Sequence, residues 1–228
     1  AYRSFAALYS ELGGNCRVLT IDYRVAPEHP YPAALEDTIS AYHWLLEQGY
    51  PAEKIVVAGD SAGGGLALAL CLWLKNHKEP LPSGVIAMSP WTDLTISGES
   101  VETNFEKDPL FGKTRDSMLY NKDYLGDNDP TNEYISPLFG DYEGFPPLLI
   151  QVGSYEMLLS DSTRVAKKAK EAGGKVKLSI YEGMFHVFQM AMLLMPESKK
   201  AWAEIKRFLH YLDTEENEMQ NISKEEKA

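Results

Sequence analysis

Residues 55–76 read IVVAGDSAGGGLALALCLWLKN, and this stretch decides the fold class. Ile55 to Ala58 has the β-branched content of a buried strand, and Ala62 to Asn76 repeats Ala and Leu densely enough for a helix buried against a sheet. Between them, Gly59-Asp60-Ser61-Ala62-Gly63 fits G-x-S-x-G in the context that motif requires, a strand turning directly into a helix. The small Gly59, Ala62 and Gly63 let the two chain segments pass close to each other. Such a turn holds its serine in strained backbone angles and lifts the hydroxyl above the sheet. It also aims the Ala62 N–H and the helix N-terminus at a developing oxyanion. A glycine-rich turn that binds phosphate or merely packs tightly uses similar letters, but the flanking strand and helix favour Ser61 as a nucleophile.

Working outward, further short apolar runs alternate with helical periodicity, the pattern of strands joined by crossover helices in a mainly parallel sheet. Strands are expected at Arg17 to Tyr23, Ile55 to Ala58, Gly84 to Met88, Leu148 to Val152 and Val176 to Tyr181. Helices are expected at Pro32 to Gln48, Ala62 to Asn76, Leu159 to Ala172 and Lys199 to Leu212. Trp91 to Pro147 is rich in Asp, Asn, Gly and Pro, with one helix expected around Thr114 to Tyr124; it reads as an excursion over the strand ends. Residues 1–212 are expected to form one α/β domain, and the charged residues 213–228 a solvated tail.

Bulk properties exclude more than they assign. Lys and Arg total 22 against 33 Asp and Glu, a net charge of -11, which makes polyanions such as nucleic acid poor partners. No apolar run approaches the roughly 20 residues of a membrane-spanning helix, and AYRSFAALYS does not read as a signal peptide. A cytoplasmic protein without membrane attachment is expected. Cys16 and Cys71 lie in apolar segments and read as reduced, buried thiols. No Cys/His cluster has metal-ligand spacing and no nucleotide-binding glycine motif occurs, so neither metal nor cofactor is expected. The chain opens without Met and is expected to begin inside a longer one.

A serine hydroxyl becomes an effective nucleophile only when an imidazole takes its proton. Of the five histidines, His29 sits in an early loop, and His43, His77 and His210 fall within or at the ends of expected helices. His186, in GMFHVFQ just after the last expected strand, is the one placed to lean over the sheet. The orienting acid should follow the preceding strand. There Glu156 in the strand-helix loop and Asp161 within the helix compete, with helix capping as the ordinary use of either.

DYRVAPEHPYPAALED, GDSAGGGLAL, SPWTDL, PPLLIQVGSYEMLLSDS and GMFHVFQ together resemble the hormone-sensitive-lipase-like bacterial esterases of the α/β-hydrolase fold, over nearly all of residues 2–212. The resemblance implies a mainly parallel sheet with flanking helices and a triad of Ser61, Glu156 and His186, with Ala62 as an oxyanion donor. Asp60, Arg24, Glu28 and Asp93 match the family's motifs, but charges at such loop positions ordinarily hold loops together rather than touch substrate, so a structural role is expected for them. Among Trp91, Phe185 and Phe188, the acyl-pocket role is given to Phe188. The family's H-G-G-G oxyanion segment has no match in this sequence, and its cap helices and first three strands are expected to be missing too. The third of those strands would lie between Arg17 to Tyr23 and Ile55 to Ala58, so the chain as numbered is expected to be a weakly active piece of a longer enzyme.

The expected function is hydrolysis of short-chain acyl esters through a serine acyl-enzyme, with a small-molecule acyl ester as partner. A homodimer is left open. A catalytically weak ligand-binding protein of the same fold is the alternative, motivated by the missing H-G-G-G. A peptidase shares the serine motif but lacks the other matches.

Overall fold

The computed structural model describes residues 2–112 and 122–225, with side chains described to residue 214. Its residues divide into two compact units, Ile21–Phe188, and Ala1–Thr20 with Gln189–Ala228.

The first unit holds a four-stranded sheet in the order β1 (Val56–Asp60), β2 (Gly84–Met88), β3 (Leu148–Gly153) and β4 (Val176–Tyr181). All neighbouring pairs are parallel, with Asp60 beside Met88, Met88 beside Gln151, and Gly153 beside Tyr181. β2 and β3 are buried along their whole length, as their uninterrupted apolar sequences require of central parallel strands.

Parallel neighbours need crossovers. α3 (Ala62–Asn76) links β1 to β2, and α4 (Leu159–Glu171) links β3 to β4. Val85, Ala87, Leu148 and Ile150 meet Ala67, Leu68 and Leu72 of α3 and Val165, Ala166 and Ala169 of α4 in one core. α2 (Ala33–Glu47) packs Tyr42 with Leu70, Leu74 and Ile55. The second unit contains α1 (Tyr2–Leu12) and α5 (Pro196–Glu225), where Trp202 takes the edges of Phe5 and Tyr9 at ring separations of 5.1 and 5.2 Å.

Four of the five expected strands and all four principal helices are present, with small shifts at their ends except at the C-terminus of α5. Arg17 to Tyr23 forms no strand, and Val18, Leu19 and Ile21 are exposed. A strand exists only where a neighbour accepts its N–H and C=O groups, and the neighbour expected beside this run is not among the described residues. α5 continues beyond Leu212, where the sequence reading ended it: Pro196 suits a first helical turn, and no Pro or Gly follows. α1 was not read from sequence. The helix expected at 114–124 lies mostly outside the described residues, with a single turn at Lys122–Leu125. Both cysteines are free, but Cys16 is exposed rather than buried, because it follows the turn that ends α1; Cys71 is buried.

Because all strands run the same way, the residues that follow β1, β2, β3 and β4 emerge side by side at one edge of the sheet. In open α/β sheets ligands bind at that edge.

Candidate active site

At the end of β1 the chain turns without a spacer into α3, and Ser61 takes φ 54° and ψ -122°. This left-handed conformation is uncommon for a residue with a Cβ, and it is held from both sides. The Ser61 N–H donates to the Met88 carbonyl at 2.9 Å, and the Ser61 carbonyl accepts the Trp91 N–H at 2.9 Å. Gly59 makes the turn sterically feasible, since a Cβ there would overlap the Gly63 carbonyl. Ala62 is exposed and is the first residue of α3, whose opening N–H groups find no acceptor within the helix.

His186 follows β4 through a tight turn at Gly183, φ 72°. The loop is tied to the end of β3: the Gly183 N–H donates to Ser154 Oγ at 2.8 Å and the Tyr155 N–H to the Met184 carbonyl at 3.1 Å. Gly153 lets the two segments approach, because a Cβ there would overlap that same Met184 carbonyl. The imidazole is largely buried, with Nε2 at 2.8 Å from Ser61 Oγ and Nδ1 at 2.9 Å from Glu156 Oε2.

Glu156 is fully buried. Its Oε1 accepts the Gly153 N–H at 2.5 Å and the Ser89 hydroxyl at 2.7 Å, leaving Oε2 for His186. The buried carboxylate thus has donors on both oxygens, which offsets its removal from water. Ser89, at φ 47° beyond the end of β2, also accepts the Val187 N–H at 3.1 Å, so one hydroxyl touches both Glu156 and the backbone beside His186. The sequence reading missed Ser89. Its only signal was its position directly after an expected strand that neighbours the serine turn.

Asp161, the competing acid, is buried elsewhere. Its Oδ2 accepts the Thr92 N–H at 2.6 Å and the Asp93 N–H at 2.9 Å, tying α4 to the loop after β2. Loss of hydration pushes its carboxyl up to about 7, with the charge of Asp93 adding to the rise. Asp93 is also buried, which by itself pushes its carboxyl upward. Donors from Ser97, Thr95 and Arg164 outweigh that and hold it below the usual value. Asp93 and Arg24 fasten loops: Asp93 Oδ2 meets Arg164 Nη1 at 2.8 Å, and Arg24 pairs with Asp37 and Glu36 at 2.8 and 3.0 Å.

Phe188 is placed differently from the pocket wall expected of it. Its ring is fully buried and tilted against Tyr181 at 4.8 Å, where an exposed pocket wall was expected. The Phe111 ring meets His186 edge-on at 4.6 Å. His43 pairs with Glu79 at 2.5 Å and His77 stacks on Trp73 at 3.8 Å, so both are engaged away from Ser61. Among the described residues no group of acidic, Cys or His side chains is placed to hold a metal ion, and no helix is long and apolar enough to cross a membrane.

Comparison with known proteins agrees with this geometry. Residues 6–190 match the model of an α/β hydrolase fold family. The chain is 44% identical over 210 residues to an esterase of Acinetobacter venetianus, covering 91% of this chain and 69% of that protein. It is 41% identical over 201 residues to an acetyl-hydrolase of Streptomyces hygroscopicus, covering 87% of this chain and 67% of that one. A crystal structure of an esterase from the bacterial hormone-sensitive lipase family superposes with a TM-score of 0.86 at 42% identity, covering 93% of this chain and 72% of its own. These matches establish that the chain belongs to the α/β-hydrolase fold family, among the hormone-sensitive-lipase-like bacterial esterases.

Proposed function

We propose that this chain hydrolyses carboxylic esters through an acyl-enzyme on Ser61. The observation that carries the proposal is the unbroken hydrogen-bonded chain from Ser61 Oγ through His186 to Glu156 Oε2. His186 Nε2 takes the hydroxyl proton as Oγ attacks the ester carbonyl, and the oxyanion forms in front of the first turn of α3, where the Ala62 N–H is a donor. The imidazolium then returns its proton to the leaving alcohol. In the second half-reaction the same nitrogen draws a proton from water as its oxygen attacks the acyl carbonyl, and the imidazolium returns that proton to Ser61 Oγ as the acyl–Oγ bond breaks and the carboxylic acid leaves. Glu156 holds the imidazole with Nε2 facing the serine and stabilises the imidazolium, while Ser89 and Gly153 hold Glu156.

The chemistry uses only side chains, a backbone N–H and water and calls for no cofactor. A short acyl chain is the preferred substrate on this reading, supported by the acetyl-hydrolase relative. A ligand-binding protein without turnover is not favoured, since the three side chains are already in bonding geometry and the relatives are named for hydrolysis. The test is turnover of p-nitrophenyl acetate, butyrate and palmitate with Ser61→Ala as control. Butyrate should exceed palmitate in kcat/KM and the variant should be inactive. No turnover of any ester above the Ser61→Ala background would overturn the proposal.

A further inference from the structure

The excursion between β2 and β3 reaches the acid loop through two buried side chains that touch none of the three triad side chains. Asn104 and Asp108 are each only 4% exposed, although Asn and Asp on a long loop ordinarily face water. The Asn104 side-chain amide donates to the Ser154 carbonyl at 3.0 Å and to the Glu156 carbonyl at 2.8 Å. Asp108 Oδ2 accepts the Met157 N–H at 2.8 Å. The backbone on both sides of Glu156 is therefore held by these two side chains. Asp108 Oδ1 meanwhile accepts the N–H groups of Leu110 and Phe111 at 2.8 and 3.0 Å, and the Phe111 ring lies edge-on to His186. One carboxylate thus sets the backbone beside the acid with one oxygen and the backbone of the ring beside the base with the other.

We infer that Asp108, with Asn104, is a positioning residue for the acid and base of the proposed ester hydrolysis. The inference rests on the Ser61, His186 and Glu156 reading above. Its physical basis is that a carboxylate accepts on both oxygens, whereas the isosteric amide of Asn accepts on one and presents N–H groups at the other. Asp108→Asn therefore sets a donor against a donor, either at Met157 or at Phe111. Displacing a catalytic group by about 1 Å costs on the order of 10²-fold in rate, without any change in substrate contacts.

The experiment is a kinetic cycle on the whole chain with p-nitrophenyl butyrate. Asp108→Asn should lower kcat by about 10- to 100-fold while KM stays within about twofold. In a Glu156→Gln background the same change should cost less than about threefold, because a residue that acts through Glu156 has nothing further to position. A merely structural residue would instead reduce activity by the same factor in both backgrounds. That result, or a kcat within about twofold of the parent, or a raised KM at constant kcat, would overturn the inference. If Asp108→Asn does not fold, Asn104→Ala is read by the same cycle and the same criteria. A parent with no turnover above its Ser61→Ala control would instead count against the hydrolase reading itself.

Discussion

Glu156 and Asp161 leave the same end of β3, both buried, and their carboxylates are committed to different partners: Glu156 Oε2 to His186 Nδ1 at 2.9 Å, Asp161 Oδ2 to the Thr92 N–H at 2.6 Å. The first lies beside His186; the second fastens a helix to a loop. Glu156→Gln should therefore cut kcat by roughly 10³- to 10⁴-fold, since a neutral amide neither stabilises the imidazolium nor enforces the right tautomer. Asp161→Asn should cost less than about tenfold, because an amide oxygen still accepts the Thr92 and Asp93 N–H groups. Steady-state kinetics of the two variants, both checked for folding, decide the matter; the reverse ranking would transfer the orienting role to Asp161.

Asp161 also makes a prediction about pH and stability. Its folded value, pushed up to about 7 by burial, stands above the ordinary value of 3.8, so between those limits the native state holds a proton that the unfolded chain releases. The stabilisation is complete below about pH 4 and is lost as pH rises through 7, each tenfold difference in proton affinity between the two states being worth about 1.4 kcal/mol. Asp93 has the opposite sign, its contribution being lost only as pH falls below the ordinary carboxylate range, outside that window. In urea unfolding, the stability advantage of the parent over Asp161→Asn should shrink between about pH 5 and pH 7.5. An advantage that grows over that interval would mean that the ionised carboxylate, with its N–H donors, is the stabilising form.

The two glycines of G-x-S-x-G should respond differently to alanine. A Cβ at Gly59 overlaps the Gly63 carbonyl, which is backbone and cannot step aside, whereas a Cβ at Gly63 meets only Tyr23 Oη at 3.8 Å. Gly59→Ala should destabilise by about 1 to 3 kcal/mol and displace Ser61. Gly63→Ala, inside a helix, should leave stability unchanged or slightly raised. Thermal unfolding of the two variants checks this, and equal destabilisation would contradict it.

Much of this architecture was legible in the sequence because it rests on local signals. β2 and β4 match their expected bounds, β2 as a short continuous apolar run and β4 as an alternating one, each bounded by turn residues. The sequence signal that singled out Ser61, Glu156 and His186 was their place after expected strands, and these three side chains lie in one hydrogen-bonded chain. Arg17 to Tyr23 misled because its composition suits a strand while strand formation depends on a partner elsewhere. Phe111 was invisible because it meets His186 only through the folding of a long loop. Asn104 and Asp108 carried no signal for the same reason: polar residues in a polar stretch read as solvated, and only burial reveals what they hold.

The central claim is that Ser61 becomes acylated, and it is tested most directly by intact-mass analysis of the chain quenched during turnover of p-nitrophenyl butyrate. The predicted result is a single added butyryl group that maps to the peptide containing Ser61, persists longer in His186→Ala acylated with excess ester, and is missing from Ser61→Ala. Butyrylation of another residue, or turnover by Ser61→Ala at the parent rate, would contradict the account.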